Sequence, residues 1–204
     1  MDGNTIDSLA GLREVYSEPS ERAAAKQLSS LDEHCRKFLS LSPFVVLGTE
    51  GDVSPKGDHP GFVTVLDDNK ILIPDRGGNN RLDSLQNLLA NPRIGLLFFI
   101  PGVNETLRIN GTAEITGDAE LLEPMAVNNK VPKTGIIVHV EEAYLHCAKA
   151  LMRSNLWSAD TGPDRSGLPG MGQMLAEQTG IADGSSGTKY QQSIEKAMAE
   201  EGRD

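Results

Sequence analysis

The 204-residue sequence is poor in cysteine, positive charge and long apolar runs, and each shortage excludes a class of protein. Its 19 Lys and Arg against 29 Asp and Glu give a net charge of −10, which argues against nucleic acid or a membrane surface as a main partner. Cys35 and Cys147 lie far apart and belong to no metal-ligand motif, so we expect two buried free thiols and a reducing cytoplasm. The longest apolar run, Ile94–Ile100, is too short to span a bilayer, and Met1–Ala10 lacks the pattern of a signal peptide.

The motifs of the common cofactor sites are also missing. The sequence contains neither GxGxxG nor GxxxxGK[ST], and strands do not alternate with helices, so neither a dinucleotide fold nor a P-loop is predicted. The histidines share no spacing with carboxylates, which predicts no metal site. No Ser-His-Asp or Cys-His arrangement stands out, although spacing alone leaves a catalytic triad open.

Strand patterns fill the middle of the chain. Apolar runs about ten residues apart, with one helical segment between them, predict a mainly β, α+β fold built on a small six-stranded antiparallel barrel. The six predicted strands cover residues 44–49, 62–65, 70–73, 93–100, 106–115 and 135–140, with a loop at 50–60. Gly111 interrupts one alternating strand, so we expect a bulge or a close approach there.

Helical patterns flank the barrel on both sides. We divide the chain into a helical N-terminal arm (1–41), the barrel domain (42–141) and a helical C-terminal segment (142–204). In the arm, a helix is expected over Thr5–Tyr16 with Thr5 as its cap, followed by two more helical stretches. Glu142–Trp157 is expected to be mostly helical, and a Gly/Ser linker at Asp183–Gly187 separates two short terminal helices.

The most informative stretch is Ile71–Pro92, where a strand, a turn and a helix follow one another. Arg81 and Ser84 lie where the helix is expected to begin, and a helix start presents unpaired N–H groups and a positive dipole end. The stretch therefore predicts a phosphate cradle. The alternative is a helix capped by Asn79 or Asn80, with Arg81 as a solvated charge.

Several of these motifs together resemble a known family. The barrel pattern, the strand–turn–helix that ends in Asn-Pro, the strand LLFFIPG and the strand RINGTAEI are similar to the pyridoxamine 5′-phosphate oxidase-like family of FMN-binding split-barrel proteins, over roughly Phe38–Glu141. The turn DRGGNNRLDSLQN, the loop VSPKGD and the segment HCAKALMRSNLW resemble a subgroup regarded as FMN-dependent enzymes. The resemblance implies an FMN-binding split barrel and a homodimer with FMN at its interface.

The resemblance also implies where FMN would bind. Relatives hold the flavin phosphate with an Arg-Lys pair at the positions of Asp83 and Ser84, so the phosphate charge here would fall to Arg76 and Arg81, with Ser84 donating a hydrogen bond. The expected contacts in this turn are Asp75, Arg76, Asn80, Arg81 and Ser84.

Contacts outside the turn follow from the same resemblance. Ser54 and Lys56 would approach the flavin, where Lys56 could stabilise the reduced anionic ring; a solvated lysine is the alternative. Arg108 would contact the cofactor or simply face solvent. Lys149 and Trp157 would reach the partner subunit's flavin, although a lone tryptophan is more often a core residue.

The function expected from the resemblance is an FMN-dependent oxidoreductase acting on a small organic substrate in the cytoplasm. The alternatives are a non-catalytic flavin-binding or flavin-sensing protein, or a structural barrel without cofactor. Pyridoxamine 5′-phosphate oxidase activity itself is not expected, because the C-terminal arginine motif for the substrate phosphate is not recognisable; Arg203 stands in an acidic terminus. Related split barrels bind haem or deazaflavin, but no histidine here is compelling as a haem ligand.

Overall fold

A computed structural model describes residues 5–158, 167–181 and 188–200. The predicted linker at Asp183–Gly187, most of the expected loop at 160–170 and Arg203 lie outside these ranges. Within the described ranges, no helix is long and apolar enough to cross a membrane. The same residues include no group of three or more His, Cys, Asp or Glu side chains that could hold a metal ion.

One antiparallel sheet organises the fold. Its seven strands are β1 (Phe44–Thr49), β2 (Asp52–Gly57), β3 (Thr64–Asp67), β4 (Lys70–Asp75), β5 (Arg93–Phe99), β6 (Thr106–Thr116) and β7 (Thr134–His146). Their order is β2-β1-β5-β6-β7-β4-β3, so β2 and β3 lie at the two open edges. The predicted α+β split-barrel class is confirmed, with seven strands rather than six.

Helices precede, interrupt and follow the strands along the chain. They are α1 (Leu9–Val15), α2 (Glu21–Ala25), α3 (Glu33–Leu41), α4 (Asp83–Ala90), α5 (Ala119–Leu122, continued by a 3-10 turn over Glu123–Met125), α6 (Lys149–Ser154), α7 (Met171–Thr179) and α8 (Thr188–Glu200). The N-terminal helix begins later than predicted, because Ser8 and not Thr5 is its cap. The three-part division of the chain stays a prediction.

The strand missed by the prediction is β2. Its composition, with Pro55 between two glycines, is typical of a loop. β2 nevertheless pairs with β1 along its whole length. It lies at an edge of the sheet, where a proline costs no ladder hydrogen bond.

The helix expected from Glu142 onward was also wrong at its start. β7 continues to His146, because its pairing with β6 extends to that residue and buries Ala143 completely. The helical propensity of this segment is weak compared with the packing that overrides it. Only Lys149–Ser154 is helical, and Trp157 follows in a turn.

The main core lies on one side of the strands, and a smaller one packs Leu72 of β4 against Leu122 of α5. Val45, Leu47, Phe98 and Ile109 are at most 1% exposed and alternate with half-buried residues. The outer side is more polar, as period-two alternation requires. Cys35 packs into the core from α3 as expected, whereas Cys147 is exposed and the expectation that it is buried was wrong.

The irregularity expected at Gly111 is confirmed. The register of β6 and β7 shifts between Asn110 and Gly111. A Cβ at Gly111 would lie 1.9 Å from the carbonyl oxygen of His139. Glycine is therefore required by close approach of the two backbones.

Candidate functional site

Side chains bridge the split between the two open ends of the sheet. Lys56 on β2 extends its Nζ to 3.4 Å from Oδ1 of Asp75, at the end of β4. Both side chains are mostly buried, at 26% and 20% exposed. No strand pairing joins β2 to β4 in the sheet order, so this ion pair connects two parts of the sheet that backbone hydrogen bonds leave apart.

A second and more deeply buried ion pair lies beside the first. Arg76 follows β4, and its Nε donates to Oδ2 of Asp58 over 2.5 Å. The same guanidinium donates to the carbonyl oxygen of Met125 over 2.9 Å. The Asp58 side chain is 1% exposed and also accepts a hydrogen bond from the backbone N–H of His59. The Arg76 side chain is therefore fixed by Asp58 and Met125 within the fold.

Register decides which way the polar residues of β2 point. Ser54 lies opposite Leu47 and Lys56 lies opposite Val45. Directly opposed residues share a face of the sheet, and both β1 partners are buried in the core. Ser54 and Lys56 therefore face the inner side of the split, and the Ser54 hydroxyl donates to Asp52 over 3.2 Å.

The turn between β4 and α4 has an unusual backbone. Asn80 and Leu82 both adopt left-handed conformations, with φ of 58° and 60°. For leucine this costs about 1–2 kcal/mol, and such strain concentrates at binding sites. Leu82 is the N-cap position of α4, and among the described residues no side chain caps this helix.

Arg81 and Ser84 lie at this uncapped start. The Nε of Arg81 donates to Oδ2 of Asp83 over 2.8 Å, and the arginine side chain is 72% exposed. The hydrogen bond and charge of Asp83 raise the pKa of the Arg81 guanidinium. Ser84, in the first turn of α4, is 4% exposed. A free helix start, an exposed guanidinium and a hydroxyl are the groups that an anion needs.

Charges in this region are balanced in pairs. Each cationic side chain has one carboxylate partner: Lys56 with Asp75, Arg76 with Asp58 and Arg81 with Asp83. Only the third pair is largely exposed, and exposed pairs contribute about 0–1 kcal/mol. An incoming anion could therefore displace Asp83 from Arg81 at little cost, whereas displacing Asp58 from Arg76 would leave a buried carboxylate.

Arg108 lies on the other side of the sheet. It is paired with Leu97 on β5 and with Tyr144 on β7, and its sequence neighbours Leu107 and Ile109 are fully buried in the core. Its Nη1 donates to the hydroxyl of Tyr144 over 2.8 Å. Within one chain, Arg108 therefore cannot share a ligand with the inner-facing Lys56.

Lys149 and Trp157 are also away from the split. The exposed Lys149 begins α6, just beyond the end of β7. The indole Nε1 of Trp157 donates to the carbonyl oxygen of Val103 in the β5–β6 turn over 2.8 Å. An open cleft of about 270 Å³ lies here, lined mainly by α6 and the residues after it, including Leu151, Met152, Leu156 and Trp157.

The structure thus divides the predicted site residues into two groups. Ser54, Lys56, Asp75, Arg76, Asn80, Arg81 and Ser84 lie on β2, at the end of β4 and in the turn into α4, whereas Arg108, Lys149 and Trp157 lie on the outer face or beyond it. Asp58 was missed as the partner of Arg76. Its place just after a polar edge strand, far from Arg76 in sequence, gave no signal. Tyr144 was missed because its strand was taken for a helix.

An open antiparallel sheet, flanked by helices and closed by side chains across a split, defines the class of split-barrel proteins. The model of the pyridoxamine 5′-phosphate oxidase family matches residues 31–147, more than half of the chain. The chain belongs to this family. No curated protein matches the sequence significantly.

Solved structures with a similar fold cover just over half of the chain. HupZ from Group A Streptococcus is 19% identical over 55% of this chain and 91% of its own, with a TM-score of 0.45. An FAD-binding protein from Mycobacterium smegmatis is 13% identical over 57% and 96%, with a TM-score of 0.41. An FMN-binding protein from Syntrophomonas wolfei is 11% identical over 55% and 88%, with a TM-score of 0.42.

Proposed function

We propose that this chain binds FMN at the split of its barrel and acts as an FMN-dependent oxidoreductase on a small organic molecule. The observation that carries the proposal is the strained, uncapped start of α4, where the exposed Arg81 stands next to the buried Ser84. Membership of the pyridoxamine 5′-phosphate oxidase family supports a flavin as the ligand.

The phosphate would bind at the turn into α4. There the N–H groups of the first turn lack a side-chain cap among the described residues, and the helix dipole favours a negative charge. Arg81 would exchange its exposed bond to Asp83 for charge-assisted bonds to phosphate, which contribute roughly 1.5–3 kcal/mol. The hydroxyl of Ser84 would donate a further bond. Asn80 would shape the turn through its left-handed backbone.

Arg76 has a different role in this proposal. Its guanidinium is bonded to Asp58 and to the carbonyl oxygen of Met125. It would hold the end of β4 in place and so position the turn that follows. The phosphate charge would then be met by Arg81 and the helix dipole rather than by two arginines.

The ring would lie towards Ser54 and Lys56. When bound, FMN supplies the redox chemistry, and the protein supplies orientation and electrostatics. The ammonium group of Lys56 faces the inner side of the split and is oriented by its pair with Asp75. That charge would favour electron density on the neighbouring edge of the ring.

The proposal includes a homodimer. Lys149 and Trp157 lie outside the split of their own chain and would reach a flavin only in the partner subunit. Apolar side chains around them are exposed, with Met152 at 60% and Leu156 at 54%, which supports a covered surface in the assembly. An exposed free thiol at Cys147 supports a reducing compartment such as the cytoplasm.

Flavin titration of matched arginine variants tests the proposal. Arg81→Gln should weaken FMN binding roughly 10- to 100-fold and leave riboflavin, which lacks the phosphate, unchanged. Arg93→Gln is the control, because Arg93 is an exposed arginine paired with a carboxylate, Glu141, away from the turn. Wild-type protein that ignores added FMN would refute flavin binding, and equal losses in both variants would refute the phosphate assignment.

Reduction experiments separate an enzyme from a flavin-binding or flavin-sensing protein. The FMN-loaded chain is mixed with NADH or NADPH without oxygen, and reoxidation is then followed with a panel of small organic substrates. Turnover supports the oxidoreductase. Tight FMN binding without turnover on any donor or substrate would favour the non-catalytic alternative.

A further inference from the structure

The N-terminal helix α1 carries an apolar face that its own chain leaves uncovered. No side chain of this seven-residue helix is buried. Its apolar residues and those flanking it recur at helical spacing, so they lie on one side. Each is between 43% and 69% exposed, and together we call them the α1 face: Ile6, Leu9, Leu12, Val15 and Tyr16. A helix this short is marginal in water, so we expect another surface to cover the α1 face.

The cleft at α6 offers an apolar surface of matching character. Its walls come mainly from α6 and the residues after it. Met152 and Leu156 line the cleft and are largely exposed, and Trp157 lines it as well. Within the described part of the chain, no residue of α1 lines the cleft. The same chain therefore leaves open both an apolar helix face and an apolar cleft.

Charge favours contact between these two surfaces. The stretch Ala143–Ser158 contains no aspartate or glutamate, although the chain has 29 of them, and it carries Lys149 and Arg153. Residues 5–25 hold four acidic and two basic side chains, namely Asp7, Glu14, Glu18, Glu21, Arg13 and Arg22. The arm is therefore net negative and the α6 region net positive, and opposite charges favour their association.

The arm is fixed to the sheet close to α6. Leu28 and Ala143 exchange backbone hydrogen bonds of 3.0 and 2.9 Å, and Nζ of Lys26 donates to the carbonyl oxygen of Leu145 over 3.2 Å. These contacts hold the end of the arm beside the last residues of β7, from which the chain continues into α6. Residues 16–25, between this anchor and α1, can span roughly 25 Å. The helix can therefore extend to a molecule packed against this part of the sheet.

We propose that α1 docks in the α6 cleft of a second copy of this chain, and that the second copy returns the same contact. Leu9 and Leu12 of one copy would pack against Met152 and Leu156 of the other. The docked helix would also cover Trp157, which lines the cleft. A reciprocal exchange closes on itself about a two-fold axis, so it yields a dimer and not an open chain of molecules.

The inference rests on the homodimer of the proposed function and names the segments that hold it together. In that dimer Lys149 and Trp157 reach the flavin of the other copy, so the second copy already lies against the α6 region. The chain's own α1 leaves the cleft open although the arm is anchored nearby. A second copy is therefore the occupant that satisfies both observations.

Sedimentation velocity of the full-length protein over a range of concentrations, with and without FMN, tests the exchange. Leu12→Glu should raise the dimer dissociation constant at least about ten-fold, because it places a charge within the α1 face. Ala10→Glu is the matched control, since it adds the same charge to an exposed position on the other side of the same helix. Circular dichroism should show an unchanged fold in both. A dimer of wild-type strength in Leu12→Glu, or equal weakening in the control, would overturn the proposal.

Cross-linking identifies the chain in which α1 docks. Chains with Leu12→Cys and Cys147→Ser are co-expressed with chains that keep the native Cys147, which is exposed and lies just before α6. A flexible bis-maleimide should join residue 12 of one chain to Cys147 of the other, as shown by mass spectrometry of the linked peptides. Ala10→Cys with Cys147→Ser should give much less product. If residue 12 is linked to Cys147 only within single Leu12→Cys chains, α1 docks in its own cleft and the exchange is refuted.

Salt dependence tests the contribution of charge. Arg153→Glu should weaken the dimer several-fold at low salt and less at high salt, because screening reduces the attraction between exposed charges. An unchanged dimer at low salt would overturn the choice of α6 as the docking surface.

Failure of this inference can be told apart from failure of the proposed function. A wild-type chain that stays monomeric at every concentration would refute the homodimer and the exchange together, and flavin titration decides FMN binding separately. A dimer that is unaffected by Leu12→Glu would refute the exchange alone.

Discussion

Replacing Arg76 by glutamine should destabilise the fold by about 3 kcal/mol. Arg76 donates to Asp58 over 2.5 Å and to the carbonyl oxygen of Met125 over 2.9 Å. Removing one partner of a buried ion pair costs about 3–5 kcal/mol, because the other charge stays buried. Asp58 is 1% exposed but Arg76 is 21% exposed, so solvent can reach one side of the pair and the lower end of that range applies.

Urea unfolding followed by circular dichroism measures this effect. A double-mutant cycle with Asp58→Asn isolates the pair, and the double variant should be at least about 1 kcal/mol more stable than the sum of the single losses predicts. Arg93→Gln, in an exposed pair, should cost no more than about 1 kcal/mol. The reasoning fails if Arg76→Gln loses less than about 1 kcal/mol while the folded protein no longer binds FMN. Arg76 would then be a ligand rather than a structural residue.

Three further predictions concern the backbone and the thiols. Gly111→Ala should lower the free energy of unfolding by more than about 3 kcal/mol, because the added Cβ would lie 1.9 Å from a carbonyl oxygen. Gly117→Ala is the control in the same thermal or urea unfolding, and it should be nearly neutral because the space around Gly117 is open. At pH 8 the exposed thiol of Cys147 should react rapidly with a disulfide reagent, whereas Cys35 should not, because burial raises the pKa of its thiol to about 11. Rapid reaction of both thiols would contradict the structure. Leu82→Gly should raise the free energy of unfolding by up to about 1 kcal/mol, because glycine adopts a φ of 60° without strain and the leucine side chain is half-exposed. A loss of stability would show that the packing of the leucine side chain outweighs the backbone strain.

Local periodicity was sufficient for the strands with regular apolar patterns. β1, β4, β5 and β6 were all found, and Gly111 was recognised as an irregular position because an isolated glycine in an alternating strand commonly marks a bulge or a close backbone approach. β2 was missed because an edge strand tolerates proline and glycine. The second half of β7 was missed because its residues favour a helix in isolation, and only pairing with β6 makes them a strand.

The sequence located the turn into α4 but could not separate the roles of its two arginines. Arg76 and Arg81 are chemically identical and close in sequence. Asp58 and Met125 distinguish them in the fold, and both are remote from the turn along the chain. The face occupied by Arg108 likewise depends on its register against β5, and a shift of one residue would place it in the core.

The way in which the barrel closes connects its stability to its proposed function. Ion pairs rather than backbone hydrogen bonds join β2 to the end of β4, and Lys56 and Asp75 of that closure also line the proposed flavin site. A substitution at Lys56 would therefore alter both the closure of the barrel and the proposed binding surface. A loss of FMN affinity in such a variant would not by itself show that Lys56 contacts FMN. Arg81 avoids this ambiguity, because its side chain is largely exposed and it pairs with its near neighbour Asp83 rather than with a residue across the split. For this reason the phosphate contact of Arg81, measured as FMN against riboflavin, gives the clearest evidence on flavin binding in this protein.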